Sequence, residues 1–212
     1  MYSYQYPHPA VTTDVVVFTI RDGELAVLLI ERGCEPECGR WAIPGGFIEI
    51  DEDLETAARR ELREETSVEA GELEQLYAFG RPDRDPRERV ITVAYVTILR
   101  AGQTSIRAAS DAADAAWFPM RKLPQLAFDH RKILAMAQDH LHARLDDCTT
   151  AIRFLPDEFT LSELKAAHEA ILGAPVDKRN FRKRMLARDL IEATGTIRRG
   201  GAHRPARLYR AK

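Results

Sequence analysis

The feature of this sequence that most constrains the fold is a helix-forming segment with three glutamates on one face. Asp53 is a suitable N-cap for a helix that runs to Glu65. Glu61 lies three residues before Glu64 and four before Glu65, so the three carboxylates project from neighbouring parts of one face. Unpaired, these like charges oppose helix formation, and a bound divalent cation removes the conflict. Since carboxylate oxygens suit Mg²⁺ or Mn²⁺, the three glutamates are candidate metal ligands.

The alternative for this segment is a solvated acidic helix face. Three arginines beside the glutamates could pair with them locally: Arg59, Arg60 and Arg63. Clustered carboxylates with a metal serve the attack of water on a diphosphate, because the metal activates water and neutralises developing charge. For that chemistry, Arg60 would orient a carboxylate, and Glu52 would brace the loop before the helix. The Trp-Ala-Ile-Pro-Gly-Gly run at 41–46 favours the functional site over the solvated face.

The segment from Gly46 to Val68 resembles the Nudix box, which it matches at eight positions in fixed register. The matching residues are Gly46, Glu52, Arg60, Glu61, Leu62, Glu64, Glu65 and Val68. Ser67 stands where the family has glycine. The resemblance implies an α/β fold, a Nudix-type α/β/α sandwich with a mixed sheet. A residue just past a helix end often adopts a left-handed conformation, which costs serine about 1 kcal/mol. Whether the site cuts a ligand or only holds it stays open.

Strand-forming runs surround the acidic helix and support a mixed α/β fold. An Asp22-Gly23 pair between two aliphatic runs predicts a hairpin. The expected strands lie at residues 15–20, 25–30, 76–79, 90–99 and 117–118. After Pro124 the apolar spacing changes to that of one long amphipathic helix, from Ile133 to Leu141.

Further residues are expected to bind the ligand. Arg32 ends the second strand and Arg40 precedes Trp41, both on the side where a substrate phosphate would arrive. Gly46, which opens the Nudix box, is the third expected ligand-binding residue. Four arginines crowd a loop that either stays solvated or touches the ligand: Arg81, Arg84, Arg87 and Arg89. Many Nudix hydrolases recruit an acid outside the box. The candidates here are Asp111, Asp114 and, more weakly, Glu88, whose alternative role is that of surface loop acids.

The C-terminal part shows the punctuation of a winged helix-turn-helix domain. Thr160 and Glu163 form a capping box at a helix start. Gly173 ends this helix, and Asp177 can cap the next after a short turn. Two short helices joined so tightly predict helix-turn-helix. The strand, Gly/Arg-rich turn and strand over 190–209 predict a wing.

The charge of the chain is divided unequally. Its formal net charge is −2, but residues 177–212 contain twelve basic and three acidic residues, which leaves −11 for the rest. Such a basic segment is typical of nucleic-acid binding. Arg and Asn side chains suit guanine and adenine edges in the major groove, and wing residues suit phosphates or the minor groove. The candidate DNA-binding residues are Lys178, Arg179, Asn180, Arg182, Lys183, Arg198, Arg199, His203 and Arg204. A solvated basic tail, RNA binding or acidic-protein binding are the alternatives.

The two halves together resemble the Nudix-related transcriptional regulators of bacterial NAD metabolism, the NrtR family. Segments that carry this resemblance include Asp14–Phe18, Phe128–His130 and the run from Ile171 to Arg184. It implies a homodimer that binds double-stranded DNA, represses NAD-biosynthesis genes and releases DNA when ADP-ribose binds. The alternative is an Mg²⁺-dependent ADP-ribose pyrophosphatase, giving AMP and ribose 5-phosphate, whose C-terminal domain has an accessory role.

The predicted organisation is a Nudix domain at 1–124, a linking helix at 125–148 and a winged helix-turn-helix domain at 149–212. No apolar run approaches the ~20 residues of a membrane span, and the N-terminus lacks the pattern of a signal peptide, so a cytoplasmic location without membrane contact is expected. Cys34 and Cys38 resemble half of a zinc site, but the remaining ligands are missing, which favours ordinary loop thiols.

Overall fold

The computed structural model describes residues 5–100, 106, 112–145, 149–198 and 205–212. Two α/β parts follow one another along the chain. The strands of the first are β1 (Ala10–Arg21), β2 (Glu24–Arg32), β3 (Trp41–Ala42), β4 (Gly45–Phe47), β5 (Glu74–Phe79), β6 (Val90–Ile98) and β7 (Ala112–Pro119). Its helices are α1 (Leu54–Thr66) and α2 (His130–Ala143), with a 3-10 turn at Met120–Lys122. The second part contains α3 (Thr149–Arg153), β8 (Phe159–Thr160), α4 (Leu161–Leu172), α5 (Lys178–Ala187), β9 (Ile191–Arg198) and β10 (Ala206–Ala211).

The first part is built on a mixed sheet, as predicted. Within the described residues its strand order is β3-β2-β1-β6-β5, with β4 paired to β1 and β7 paired to β2. Strands β1 and β6 are parallel, and the other pairs are antiparallel. The predicted β1–β2 hairpin turns at Asp22 and Gly23, which both have positive φ, as a tight hairpin turn requires.

Both faces of this sheet are covered by helices, which explains why its central strands carry apolar residues on both faces. Val15 and Val17 of β1 lie in the cluster that contains Leu62 of α1. Val16 and Phe18 point to the other face, in the cluster that contains the buried side of α2. The arrangement is the predicted α/β/α sandwich.

Strand β1 begins at Ala10, five residues before the predicted start. Its first half is polar, with Thr12, Thr13 and Asp14, so periodicity did not mark it as strand. It is nevertheless buried, because β4 pairs with it on one side and β6 on the other. Of these polar residues, Asp14 belongs to the candidate site.

The second part is a winged helix. Its three-stranded sheet has the order β8-β10-β9. Thr160 accepts a hydrogen bond from Glu163 N, and the Glu163 carboxylate accepts one from Thr160 N, which confirms the capping box. Gly173 ends α4 in the left-handed conformation, and Asp177 caps α5, both as predicted. The short helix α3 was not predicted from the sequence.

The two parts share one core. Ile133, Leu134 and Leu141 of α2 lie in the same buried cluster as Leu164 and Ile171 of α4. His142 Nε2 lies 2.7 Å from the carbonyl oxygen of Ile171. Helix α2 therefore belongs to the cores of both parts, and the boundaries given for the linking segment remain predictions. Among the helices of the described ranges, none is both long and apolar enough to cross a membrane.

Candidate nucleotide site and nucleic-acid interface

Helix α1 carries the acidic side chains and is fixed at both ends. Asp53 caps its N-terminus by accepting a hydrogen bond from Thr56 N at 2.8 Å. At the other end Ser67 has φ 58° and ψ 20°, and its N–H donates to Arg63 O at 2.8 Å. Ser67 thus adopts the left-handed conformation expected where the Nudix box has glycine. Its side chain is exposed, and it does not line the cavity described next.

Arg60 binds three of the predicted catalytic carboxylates. Its guanidinium donates to both oxygens of Glu52 at 2.6 and 3.0 Å, to Glu61 at 2.8 Å and to Glu64 at 3.2 Å. Glu52 also accepts from Glu49 N at 2.7 Å, so it braces the preceding loop as predicted. The hydrogen bond from Arg60 lowers the pKa of Glu52, and the same bond raises the pKa of Arg60.

Two of the three predicted metal ligands face a cavity of about 360 Å³. Glu65 accepts a hydrogen bond from Gly45 N at 2.9 Å, and burial raises its pKa to about 8. Burial also raises the pKa of Glu61. Glu61 touches Gly46 so closely that a Cβ there would lie 2.5 Å from its Oε1, which explains the glycine at this position.

The donor set fits a divalent cation. Burial and repulsion from neighbouring carboxylates both oppose ionisation of Glu61 and Glu65, and a bound cation would offset both effects. Glu64 is different, because it bonds to Arg60, is half-exposed and does not line the cavity. As placed, the described residues contain no group of three His, Cys, Asp or Glu side chains in position to hold a metal. The role of Glu64 as a ligand therefore stays a prediction.

Another part of the cavity wall is basic and aromatic. Arg32 lines it and lies 4.9 Å from the ring centre of Phe128, and its contact with a ligand stays a prediction. Arg87 is held by both oxygens of Asp85 and lies 5.0 Å from the ring centre of Phe47. Phe128 has a left-handed φ of 48°, a strained conformation that clusters at functional sites.

The other arginines divide between this wall and the surface. Arg84 lines the cavity and is buried. Arg81 pairs with Asp83, and Arg89 donates to Gly80 O. Arg40 pairs with Glu37 at 2.5 Å and is not among the lining residues, so its predicted ligand contact has no support from this geometry.

Of the candidate acids outside the box, the two that lie in the described ranges do not line the cavity. Asp114 lies in β7 and accepts a hydrogen bond from Ala115 N. Glu88 is exposed, and neither residue is among those that line the cavity. Asp111 lies outside the described residues.

Two polar residues that line the cavity were missed by the sequence analysis, Asp14 and His130. Asp14 Oδ2 accepts a hydrogen bond from Thr92 Oγ1 at 2.7 Å. His130 Nδ1 accepts one from Ile43 N at 2.9 Å. Arg84 donates to Asp129 at 2.8 Å, beside His130. The polar start of the apolar β1 was the signal for Asp14, whereas His130 carried no signal beyond the resemblance of its segment.

The predicted DNA-binding residues of α5 form one exposed face. Phe181 and Met185 are buried, which leaves the polar residues on the solvent side. The exposed set is Lys178, Arg179, Asn180, Arg182 and Lys183. Arg198, at the end of β9, donates to Glu163 at 2.7 Å and to Glu158 O at 3.1 Å. Arg199, His203 and Arg204 lie outside the described residues.

An α/β/α sandwich with a cavity lined by acidic and basic side chains, joined to a winged helix with a basic exposed face, defines a two-domain class of protein. The model of the NUDIX domain family matches residues 10–137, and the model described as the NrtR DNA-binding winged helix domain matches residues 151–211. The chain belongs to the NrtR family of Nudix proteins.

Three known proteins are similar to this chain. The ADPR responsive transcriptional repressor NtrR of Acinetobacter baylyi is 36% identical over 97% of this chain and 83% of its own. The crystal structure of Shewanella oneidensis NrtR complexed with a 27mer DNA is 36% identical, with a TM-score of 0.78, over 95% of this chain and 93% of that chain. The Nudix domain of the same Shewanella protein, complexed with ADP ribose, is 34% identical, with a TM-score of 0.60, over 64% of this chain and 90% of that one. An ADP-ribose pyrophosphatase of Methanocaldococcus jannaschii is 39% identical over 61% of this chain and 73% of its own.

Proposed function

We propose that this chain is an ADP-ribose-responsive DNA-binding repressor of genes for NAD biosynthesis and salvage. The observation that carries the proposal is the joining of a nucleotide cavity to a winged helix through one continuous core. Support comes from the repressor of Acinetobacter baylyi and from the DNA and ADP-ribose complexes of the Shewanella protein.

In this proposal the cavity binds ADP-ribose. Arg32, Arg84 and Arg87 supply positive charge for the diphosphate, and Phe47 and Phe128 supply flat surfaces for the adenine ring. Glu61 and Glu65 would hold Mg²⁺ or Mn²⁺, which would supply positive charge for the diphosphate. Ligand binding releases DNA only if ADP-ribose prefers the DNA-free state, because coupling between two sites is reciprocal.

The DNA-binding element is α5, with its exposed Lys178, Arg179, Asn180, Arg182 and Lys183. Such a helix lies in the major groove, where Arg and Asn contact base edges and lysines contact phosphates. Two half-sites are bound by a homodimer, by analogy with other helix-turn-helix proteins. Arg199, His203 and Arg204 of the wing are proposed to contact phosphates or the minor groove.

A fluorescence-anisotropy titration of promoter DNA at several salt concentrations tests this proposal. A dimer with six or more phosphate contacts should lose affinity with a log–log salt slope of about −0.9 per contact. Arg179→Ala should relax base preference, whereas Arg131→Ala, on the exposed side of α2, should leave DNA binding unchanged. ADP-ribose should raise the Kd for DNA. A flat salt response, or a Kd that ADP-ribose does not move, would count against it.

A second candidate function is Mg²⁺-dependent hydrolysis of ADP-ribose to AMP and ribose 5-phosphate. It is favoured by the intact Nudix set, in which Arg60 holds Glu52 and Glu61 in place while Glu65 faces the cavity. A bound metal would activate water and neutralise charge on the diphosphate. Incubation with ADP-ribose and Mg²⁺ tests this: Glu64→Gln and Glu65→Gln should abolish AMP formation. Wild-type protein that forms no AMP, or variants that match it, would refute catalysis. A slow hydrolase can still be a sensor.

A further inference from the structure

Two buried polar side chains line the cavity, and each has a hydrogen-bonding atom that faces the other. Asp14, on β1, and His130, at the start of α2, are each 5% exposed, and both line the cavity. Asp14 Oδ2 is engaged by Thr92 Oγ1 at 2.7 Å, which leaves Oδ1 on the side of the histidine. Since both residues line the cavity, a polar atom placed there can bond to both of them.

The proton on the imidazole is placed by its neighbours. Ile43 N–H donates to His130 Nδ1 at 2.9 Å, so Nδ1 carries no proton. Burial lowers the pKa of His130 and keeps the ring neutral. A neutral imidazole that accepts at Nδ1 has its proton on Nε2, and Nε2 therefore donates.

The distance between the two groups selects the kind of atom that joins them. His130 Nε2 lies 3.8 Å from Asp14 Oδ1, too far for a direct hydrogen bond but suited to one bridging atom. That atom must accept from the imidazole and donate to the carboxylate. A phosphate oxygen cannot donate to Asp14, and an ammonium group cannot accept from His130. A hydroxyl group does both, as does a water molecule that a ligand hydroxyl would displace.

We propose that Asp14 and His130 form a hydroxyl-recognition pair that binds one ribose hydroxyl of the nucleotide ligand. This inference rests on the proposed function, which supplies a ribose-bearing diphosphate. The surroundings agree with a sugar next to phosphate. On one side Arg84 Nη2 lies 3.9 Å from Asp14 Oδ2, and on the other Gly45, which binds Glu65, abuts Asp14. The pair would select for ligands that carry the hydroxyl, because a ligand without it offers no bond to His130 Nε2 or Asp14 Oδ1.

His130→Asn tests the pair with little effect on the fold. An asparagine oxygen can replace Nδ1 as the acceptor for Ile43 N–H, but the Nε2 donor is lost. His140→Asn on the same helix is the matched control, because His140 pairs with Glu74 away from the cavity. Calorimetric titrations of the full chain in Mg²⁺ use ADP-ribose, ADP and pyrophosphate as probes, with AMP assayed to confirm that the ligand is intact.

His130→Asn should weaken ADP-ribose binding about tenfold, the cost of one buried hydrogen bond, and leave pyrophosphate binding unchanged. Equal weakening of ADP binding assigns the hydroxyl to the adenosine ribose, whereas unchanged ADP binding assigns it to the terminal ribose; both results support the pair. Asp14→Asn should follow the same pattern. Unchanged ADP-ribose affinity in His130→Asn, or an equal loss for pyrophosphate, overturns the pair alone. Wild-type protein that does not bind ADP-ribose overturns the proposed function as well.

Discussion

Replacing Ser67 with glycine should stabilise the protein without changing its chemistry. Ser67 ends α1 at φ 58° and ψ 20°, where a residue with a Cβ loses about 1–2 kcal/mol. Glycine removes that cost but gives the unfolded chain more freedom, worth about 0.4–1 kcal/mol. The net gain is roughly 0.5–1 kcal/mol. For a chain of this length, such a gain raises Tm by about 1–4 °C.

Thermal and urea denaturation followed by circular dichroism measure this gain. Ser67→Ala is the matched control, because alanine keeps the Cβ and therefore the strain. Ser67 is exposed and does not line the cavity, so ligand binding and any AMP formation should be equal in all three proteins. A glycine variant no more stable than the alanine variant would refute the strain argument. A large change in AMP formation would show that the Nudix-box glycine matters for the site itself.

Three further predictions concern the site and the wing. The pKa of Glu65 is raised to about 8 in the fold, so its contribution to stability is fully present below about pH 4.5 and is lost as pH rises through 8. Denaturation in the presence of a chelator should show this loss of stability in the wild-type protein but not in Glu65→Gln. Gly46→Ala places a Cβ 2.5 Å from Glu61 Oε1. Calorimetry should therefore show that Mg²⁺ and ADP-ribose bind roughly tenfold or more weakly, while the affinity of the same protein for DNA stays unchanged. Arg198 is already bonded to Glu163, so Arg198→Ala should weaken DNA binding without changing the log–log salt slope of DNA affinity. Lys183→Ala should instead reduce that slope by about 0.9 per contact. Equal slopes for the two variants would contradict this.

The parts of the fold that the sequence predicted well depend on local spacing. The helix that carries Glu61, the capping box at Thr160 and the αL turn at Gly173 are all set by residues within one or two helical turns. The exposed face of α5 follows from the same short-range periodicity, through buried Phe181 and Met185.

What the sequence could not predict depends on contacts between distant segments. Asp14 reaches the cavity because β1 pairs in parallel with β6, about eighty residues later. His130 is held by Ile43 across 87 positions, and Arg198 by Glu163 across 35. For Arg40 the sequence suggested a contact that the structure does not support. Its position beside Trp41 suggested a ligand contact, whereas in the structure Arg40 pairs with Glu37. Spacing alone carries no information about such partners.

The shared core at α2 bears on how this protein can be dissected. A fragment that ends before α2 would leave the Val16 and Phe18 face of the sheet exposed to water, and a fragment that begins at α3 would leave Leu164 and Ile171 without part of their covering. Exposed apolar faces of this kind favour aggregation. If truncated halves bound neither ligand nor DNA, the loss would therefore reflect the apolar surface exposed by truncation. Point substitutions in the intact chain are the sounder way to test ligand binding and DNA binding separately.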